Sequence, residues 1–144
     1  MTPEAMKELY RRYLDEVWTR RRVDALDQFF VPDHVDHDQP PGEGQGIDYL
    51  RAIMPYFQMA FPDASVNIDD LYVDGHALIS RLTFSGTHRG EFFGIAATGR
   101  HVQIRQIHIA RFRDGKMAEH WSNSDDLLLM RQLGVLPEKA PLAM

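Results

Sequence analysis

Within the first twenty residues, apolar side chains recur at intervals of three and four positions, with charged residues between them. These apolar residues are Met6, Leu9, Tyr10, Tyr13, Leu14, Val17 and Trp18. Such spacing is typical of a helix with one face on a core, and Thr2 and Pro3 suit its N-cap and first turn. The pattern predicts an amphipathic helix, in which Tyr13 either belongs to the packed stripe or lines a cavity.

Two more helices are predicted before residue 64, where the helical spacing of apolar residues ends. Asp24 is a candidate N-cap for a short helix over residues 24–30. Residues 47–61 again carry apolar side chains at helical spacing, although Pro55 should kink or split that helix. Between them, residues 32–46 are dense in proline, glycine and aspartate, which predicts a loop or an edge strand.

Beyond residue 64 the pattern alternates and becomes rich in β-branched and aromatic residues, which predicts strands. Asp74-Gly75 and Asp114-Gly115 are turn signals between long strands. Helices followed by strands predict an α+β fold with the helices on one face of a mainly antiparallel sheet. The length of 144 residues and the hydrophobic fraction of 44% suit a single domain, residues 1–144, with one core.

The last hairpin can be interpreted by parity. A two-residue turn at Asp114-Gly115 predicts a regular ladder in which His108 pairs with Trp121 and Ile104 pairs with Asp125. Cross-strand partners share a face, so one face mixes apolar and polar side chains, as ligand pockets do. Its predicted members are Ile104, Gln106, His108, Ala110, Phe112, Met117, Glu119, Trp121, Asn123 and Asp125.

Composition narrows the function classes. The formal net charge is -5, and no Lys/Arg-rich block extends beyond Arg20, Arg21 and Arg22, which argues against nucleic acid or an anionic membrane as the partner. The chain has no cysteine, which excludes disulfides, thiolate catalysis and cysteine metal sites. No apolar run has the length of a signal peptide core or a membrane span, so we expect a cytoplasmic protein.

Six short strings along the chain resemble one known family in their order and spacing. They are residues 37–38 (HD), 61–63 (FPD), 81–100 (RLTFSGTHRGEFFGIAATGR), 109–121 (IARFRDGKMAEHW), 125 (D) and 132–134 (QLG). The chain resembles the SnoaL-like polyketide cyclases of the nuclear-transport-factor-2-like superfamily. The resemblance implies a cone-shaped α+β barrel around a hydrophobic pocket. It also implies intramolecular aldol closure of a polyketide ester by one acid/base aspartate, with neither metal nor organic cofactor.

The resemblance matches Asp125 to that aspartate and His108 to its polar partner. Aldol closure needs a base for a proton next to a carbonyl, and a donor for the enolate oxygen. Gln106 and Asn123 are further candidate donors, and burial beside Trp121 would raise the pKa of the aspartate toward working pH. The competing interpretation is that Asp125 only caps the helix that starts in DDLLLMRQLG. The family match favours catalysis by Asp125, with the next residue as the cap.

Other candidate binding residues have ordinary alternatives. His37 is predicted at the pocket mouth, against a locally bonded loop histidine. His88 either reaches the cavity or belongs to a turn, and Trp121 is predicted to form pocket wall. His34 and His37 are three residues apart and are followed by Asp38, which are residue types found in metal sites. A metal site needs a third and a fourth ligand held in a defined geometry, which the sequence does not indicate, so no metal is expected.

Three function hypotheses remain at this stage. The first is a cofactor-free cyclase acting on a small hydrophobic carbonyl compound. The second keeps the pocket but makes the reaction isomerisation, hydration or epoxide opening. The third is a non-catalytic binder of a small lipophilic molecule. Proteins of the resembled fold commonly pair through the open sheet face, so a homodimer is expected, with Ile107 and Ile109 at the apolar centre of the contact.

Overall fold

The computed structural model describes residues 1–39 and 45–137. The helices are α1 (Pro3–Tyr13), continued by a π-helical segment (Leu14–Thr19), a 3-10 helix (Val23–Gln28), α2 (Gly46–Ala60) and α3 (Asp126–Gln132). The strands are β1 (Phe30–Asp36), β2 (Ser65–Asp74), β3 (Ala77–Thr87), β4 (His101–Arg113) and β5 (Lys116–Ser124). No helix in these two ranges is long and apolar enough to cross a membrane.

The predicted N-terminal helix is confirmed. The Thr2 hydroxyl accepts a hydrogen bond from the Ala5 backbone N–H at 3.1 Å, as an N-cap should. Met6 and Tyr10 are buried against the sheet. The ring of Tyr13 packs edge-on to that of Phe30 at 5.1 Å, so the aromatic stripe forms part of the core.

The segment between the first and third helices differs from its prediction. The short helix is a 3-10 helix that begins at Val23, and its N-cap position is Arg22 rather than Asp24. Of the two alternatives for residues 32–46, the edge strand is confirmed up to Asp36, because those residues belong to β1. An edge strand tolerates Pro32, which has no N–H to pair. Residues 40–44 of that prediction lie outside the described residues.

The five strands form one open mixed sheet, and the predicted α+β fold is confirmed. Their order is β1-β5-β4-β3-β2, with β1 parallel to β5 and the other neighbours antiparallel. We call the face that packs on the helices the inner face and the opposite one the outer face. The core joins α1 and α2 to inner-face residues that include Leu78, Leu82, Ala110, Phe112 and Met117.

The predicted turn between β4 and β5 is confirmed, but the predicted register fails one residue later. Phe112 pairs with Met117 as expected, after which a bulge at Ala118 shifts the ladder so that Arg111 pairs with Glu119. Met117 and Ala118 are both buried, so the strand places two successive side chains inward. One extra residue reverses the faces of every position that follows.

This reversal corrects the pocket prediction for β5. His108 pairs with Ser122 rather than Trp121, and Gln106 pairs with Ser124. The inner-face residues of β5 beyond the bulge are therefore His120, Ser122 and Ser124, while Glu119, Trp121 and Asn123 lie on the outer face. The β4 members of the predicted face keep their side, because the bulge lies in β5.

Candidate functional site

A connected row of polar side chains crosses the inner face of the sheet from β1 to β4. His120 Nδ1 lies 3.3 Å from Asp36 Oδ1. His120 Nε2 lies 2.8 Å from His108 Nδ1, and His108 Nε2 lies 3.1 Å from Gln106 Oε1. The row thus links a carboxylate, two imidazoles and an amide through direct hydrogen bonds.

Strand pairing explains why these side chains meet. The parallel pairing of β1 with β5 sets Asp36 beside His120, and the antiparallel pairing of β5 with β4 sets Ser122 beside His108. Without the bulge at Ala118, His120 would face outward. The irregularity in β5 therefore builds the row.

A second carboxylate joins the row from the turn that follows β1. Asp38 Oδ2 accepts a hydrogen bond from Ser122 Oγ at 2.5 Å and lies 3.7 Å from His120 Nδ1. The Asp38 backbone N–H donates to Asp36 Oδ1 at 3.0 Å. The Asp38 side chain is 38% exposed and that of Asp36 is 9% exposed, so Asp38 is the open end of the group.

We call these residues the inner polar cluster. It consists of Asp36, Asp38, Gln106, His108, His120 and Ser122.

The environment fixes the charge of two members of the cluster. Burial, reinforced by the charge of His120, lowers the pKa of His108 to about 3, so this imidazole is neutral at neutral pH. Burial acts to raise the pKa of Asp36, but the hydrogen bond and charge of His120, with the Asp38 backbone N–H, hold that pKa below its ordinary value. Asp36 is therefore a carboxylate.

Hydrogen-bond roles then follow from proton counting. An amide oxygen only accepts, so with Gln106 Oε1 facing His108 the proton of His108 lies on Nε2. His108 Nδ1 must then accept, and His120 Nε2–H donates to it. His120 Nδ1 faces carboxylate oxygens of Asp36 and Asp38. His120 therefore connects the two carboxylates to the neutral His108.

Three further buried residues, Tyr10, Ser80 and His34, adjoin the cluster. The Tyr10 hydroxyl and Ser80 Oγ are 2.7 Å apart, and Ser80 is the β3 partner of His108. Burial raises the pKa of Tyr10 to about 12. His34 lies two residues before Asp36 on β1, is 2% exposed, and has a pKa lowered to about 4, chiefly by burial.

Three of the predicted binding residues, His37, Trp121 and Asn123, lie on the outer face instead. The rings of His37 and Trp121 stack at 4.5 Å with an interplanar angle of 7°. His37 Nε2 contacts Glu119 Oε2 at 3.0 Å, and the Arg111 guanidinium lies 5.2 Å from the centre of the Trp121 ring. Asn123 is exposed on the same face. The assignment of Trp121 and Asn123 to the inner face is wrong because it assumed a ladder without a bulge.

Asp125 caps helix α3. Its Oδ1 accepts a hydrogen bond from the Leu128 backbone N–H at 3.2 Å, and its own N–H donates to the Arg105 carbonyl at 3.1 Å. The expectation that Asp126 would be the cap is wrong, because Asp126 is the first helical residue. An acid/base role for Asp125 stays a prediction.

His88 and Tyr13 have local partners. His88 is fully buried, its Nδ1 lies 2.9 Å from Thr98 Oγ1, and its ring lies 5.6 Å from that of Phe61. The Tyr13 hydroxyl accepts a hydrogen bond from Trp18 Nε1 at 2.8 Å. Their predicted roles in binding stay predictions, and these contacts favour packing.

Sequence reasoning placed Gln106 and His108 on the inner face but missed their partners. The alternation of His34, Asp36 and Asp38 in PDHVDHD is a two-residue period that could have indicated a strand with polar side chains on one face. A dense set of Pro and Asp residues masked that signal. The position of His120 depends on the bulge, for which the sequence carries no evident mark.

Two surface depressions among the described residues contain no member of the cluster. One is lined in part by Val35, Arg111 and Glu119, and the other is lined in part by Pro32 and Arg51. The cluster is distinguished by its chemistry rather than by either depression.

The model of the family described as SnoaL-like polyketide cyclase matches residues 7–133. The chain belongs to the SnoaL-like polyketide cyclase family. This confirms the resemblance found in the sequence.

Named relatives of this SnoaL-like chain are ring-closing enzymes. It is 44% identical over 126 residues to the aklanonic acid methyl ester cyclase AcmA of Streptomyces galilaeus, over 80% of this chain and 87% of AcmA. It is 28% identical over 140 residues to the aklanonic acid methyl ester cyclase DauD of Streptomyces sp. (strain C5), over 93% of this chain and 83% of DauD. The SnoaL-like chain is thus a cyclase-type enzyme.

A solved structure supports the fold. TsrD from Streptomyces laurentii superposes with a TM-score of 0.87 and is 32% identical, with 94% of this chain and 99% of TsrD covered. The SnoaL-like architecture therefore extends over nearly all of both chains.

Proposed function

We propose that this protein closes a ring in a polyketide methyl ester by an intramolecular aldol reaction, without metal or organic cofactor. The observation that carries the proposal is the inner polar cluster, in which Asp36 and Asp38 flank His120 on the helix-packed face of the sheet. Its hydrogen bonds combine acid/base groups with an amide donor. The aklanonic acid methyl ester cyclases among the relatives support the substrate class.

In the proposed reaction Asp38 moves the proton. Its carboxylate is the more exposed of the two, and Ser122 Oγ together with His120 holds one oxygen in place. Asp38 takes the proton from the carbon next to the ester carbonyl, and that carbon then attacks a second carbonyl. The alkoxide that forms takes the proton back from Asp38, so no net proton is consumed.

The rest of the cluster stabilises negative charge in this scheme. Gln106 Oε1 accepts from His108, so the amide NH2 of Gln106 points elsewhere and can donate to an enolate oxygen. Asp36 anchors His120, whose imidazole lies beside the Asp38 carboxylate. Neutral His108 joins His120 to Gln106 and fixes the orientation of both.

Two alternative functions would use the same inner polar cluster. Isomerisation, hydration or epoxide opening would also use an acid/base carboxylate, so the product must be identified chemically. A non-catalytic binder of lipophilic molecules would retain ligand affinity when Asp38 becomes Asn and would consume no substrate.

The expected cytoplasmic location and the single domain over residues 1–144 also stay predictions, which cell fractionation and limited proteolysis would test.

The direct test incubates the purified chain with aklanonic acid methyl ester in the presence of a chelator and separates the products by chromatography. We expect a ring-closed isomer of unchanged mass, at a rate that the chelator does not reduce. Binding without conversion would favour the lipophilic binder, and loss of activity with the chelator would contradict a metal-free reaction.

A further inference from the structure

Three members of the inner polar cluster also have the donor set of a metal site. We propose that Asp36, Asp38 and His120 bind one divalent first-row transition ion, with zinc as the representative case. The site would be a property of the protein alone and does not depend on the proposed reaction.

The spacing of the donor atoms suits a single ion. His120 Nδ1 lies 3.3 Å from Asp36 Oδ1 and 3.7 Å from Asp38 Oδ2, and one donor atom from each residue falls within 4.8 Å of the others. Ligands at about 2.0–2.2 Å from a zinc ion lie roughly 3–3.6 Å from one another. Small side-chain rotations would therefore bring the three donors to coordination distance.

Each donor already has a partner that orients it. His120 Nε2 contacts His108 Nδ1 at 2.8 Å, and an ion on Nδ1 would fix the remaining proton on Nε2 for that bond. Ser122 Oγ donates to Asp38, and the Asp38 N–H donates to Asp36. Such outer contacts commonly support protein metal sites and fix the histidine tautomer.

A fourth side chain supplies an independent observation. His34 is 2% exposed, and within residues 1–39 and 45–137 neither of its ring nitrogens has a hydrogen-bond partner. It lies on β1 two residues before Asp36, so both side chains project to the same face. Buried polar atoms normally have partners. The His34 ring packs on Phe30 and lies outside the 4.8 Å donor group, so it would have to turn toward an ion beside Asp36 to become a fourth ligand.

The donor types favour zinc-like ions over calcium or magnesium. Imidazole nitrogen with carboxylate oxygen suits zinc, cobalt and related ions, whereas calcium and magnesium prefer oxygen ligands throughout. Asp38 is 38% exposed, which gives an ion access from solvent. Because the ion would occupy the Asp38 carboxylate and the His120 nitrogen, bound zinc should inhibit the proposed reaction.

The test uses the untagged full chain after treatment with a chelator. Zinc chloride is titrated calorimetrically in the absence of any polyketide, with magnesium chloride as the comparison ion. We expect one zinc per chain and no detectable magnesium binding. Asp38→Asn and His120→Gln should each weaken zinc binding by about tenfold or more. His37→Gln is the matched control, because His37 is adjacent in sequence but lies on the outer face.

Histidine ring signals in the NMR spectrum of the unsubstituted chain give a second measurement, independent of variant folding. Zinc should shift the ring signals of His120 and leave those of exposed His76 unchanged. Absence of zinc binding, equal binding by the Asp38 and His120 variants, or loss of binding in His37→Gln would each overturn the site. Turnover measured in the presence of a chelator tests the proposed ring closure separately. The zinc site and the ring-closing function can therefore be contradicted independently of each other.

Discussion

Two histidines, the buried His34 and the half-buried His108, oppose protonation of the folded chain. Burial is the main reason that the pKa of His108 falls to about 3 and that of His34 to about 4, from an ordinary value of 6.5. Below pH 6.5 the unfolded chain binds protons at these positions and the folded chain does not. The folded state therefore keeps this stability at neutral pH and loses it as the pH falls from 6.5 toward 4. The lowered pKa of Asp36 adds a loss of the same sign at more acidic pH.

The pH dependence of unfolding should reflect these residues. Each histidine lowers the free energy of unfolding by up to about 1.36 kcal/mol per pH unit within this window. Urea unfolding at pH 7 and pH 5 measures the difference. His108→Gln should reduce the loss between the two pH values, while His76→Gln at an exposed position should not. An unchanged loss in His108→Gln would contradict the account of His108.

The same residues show how far the site could be read from the sequence. The parity of β4 placed Gln106 and His108 together on the inner face, because alternation within one regular strand is a local property. Their partners Asp36 and His120 come from other strands. Those positions depend on a parallel pairing and a bulge, which are tertiary features.

At the scale of elements, Asp125 joins the end of β5 to the start of α3. Its side chain accepts the Leu128 N–H, so Asp125→Ala should destabilise the protein by about 1 kcal/mol, whereas Asp125→Asn should retain most of the cap. Urea unfolding at pH 7 measures both. Asp126→Asn is the control and should change stability little, because Asp126 is not the cap. A larger effect at Asp126 than at Asp125 would contradict this assignment.

The bulge in β5 gives a second element-scale prediction. Deletion of Ala118 would remove the extra residue and leave a regular ladder with the same partners, Met117 opposite Phe112 and Glu119 opposite Arg111. Glu119 and Trp121 should therefore stay on the outer face, and the deletion should lower the free energy of unfolding by about 0.5–3 kcal/mol, because one buried side chain is lost and the backbone adjusts locally. Ala118→Gly keeps the residue count and is the matched control, with a smaller loss in urea unfolding. Failure of the deletion variant to fold would contradict this account of the register.

Elements were predictable where the local pattern was regular. The amphipathic stripe with Thr2 gave α1, and the alternation around the Asp-Gly turns gave β2 to β5. Strand β1 was predicted only as loop or edge, because it is a short strand that contains Pro32 and several aspartates, which are typical of loops. Its buried pairing with β5 overrides those local preferences.

For the whole molecule, the outer face of the sheet is the expected self-association surface. Tyr72, Ile107 and Ile109 are 59%, 50% and 37% exposed there. Exposure of large apolar side chains to water is unfavourable, so a contact that buries them is favoured. We expect a dimer in sedimentation at micromolar concentration. Ile109→Arg should shift the chain to monomer, whereas Met59→Arg, at an exposed position on α2, should not. A monomeric parent chain would contradict this expectation.

The measurement that tests the central claim most directly compares turnover of aklanonic acid methyl ester by Asp38→Asn and Asp125→Asn. Both substitutions remove one carboxylate, and Asn at position 125 can still cap α3. We predict that kcat falls by about 100-fold or more in Asp38→Asn and stays within about threefold of the parent in Asp125→Asn. Full turnover by Asp38→Asn with loss in Asp125→Asn would contradict the account and return the acid/base role to the end of β5.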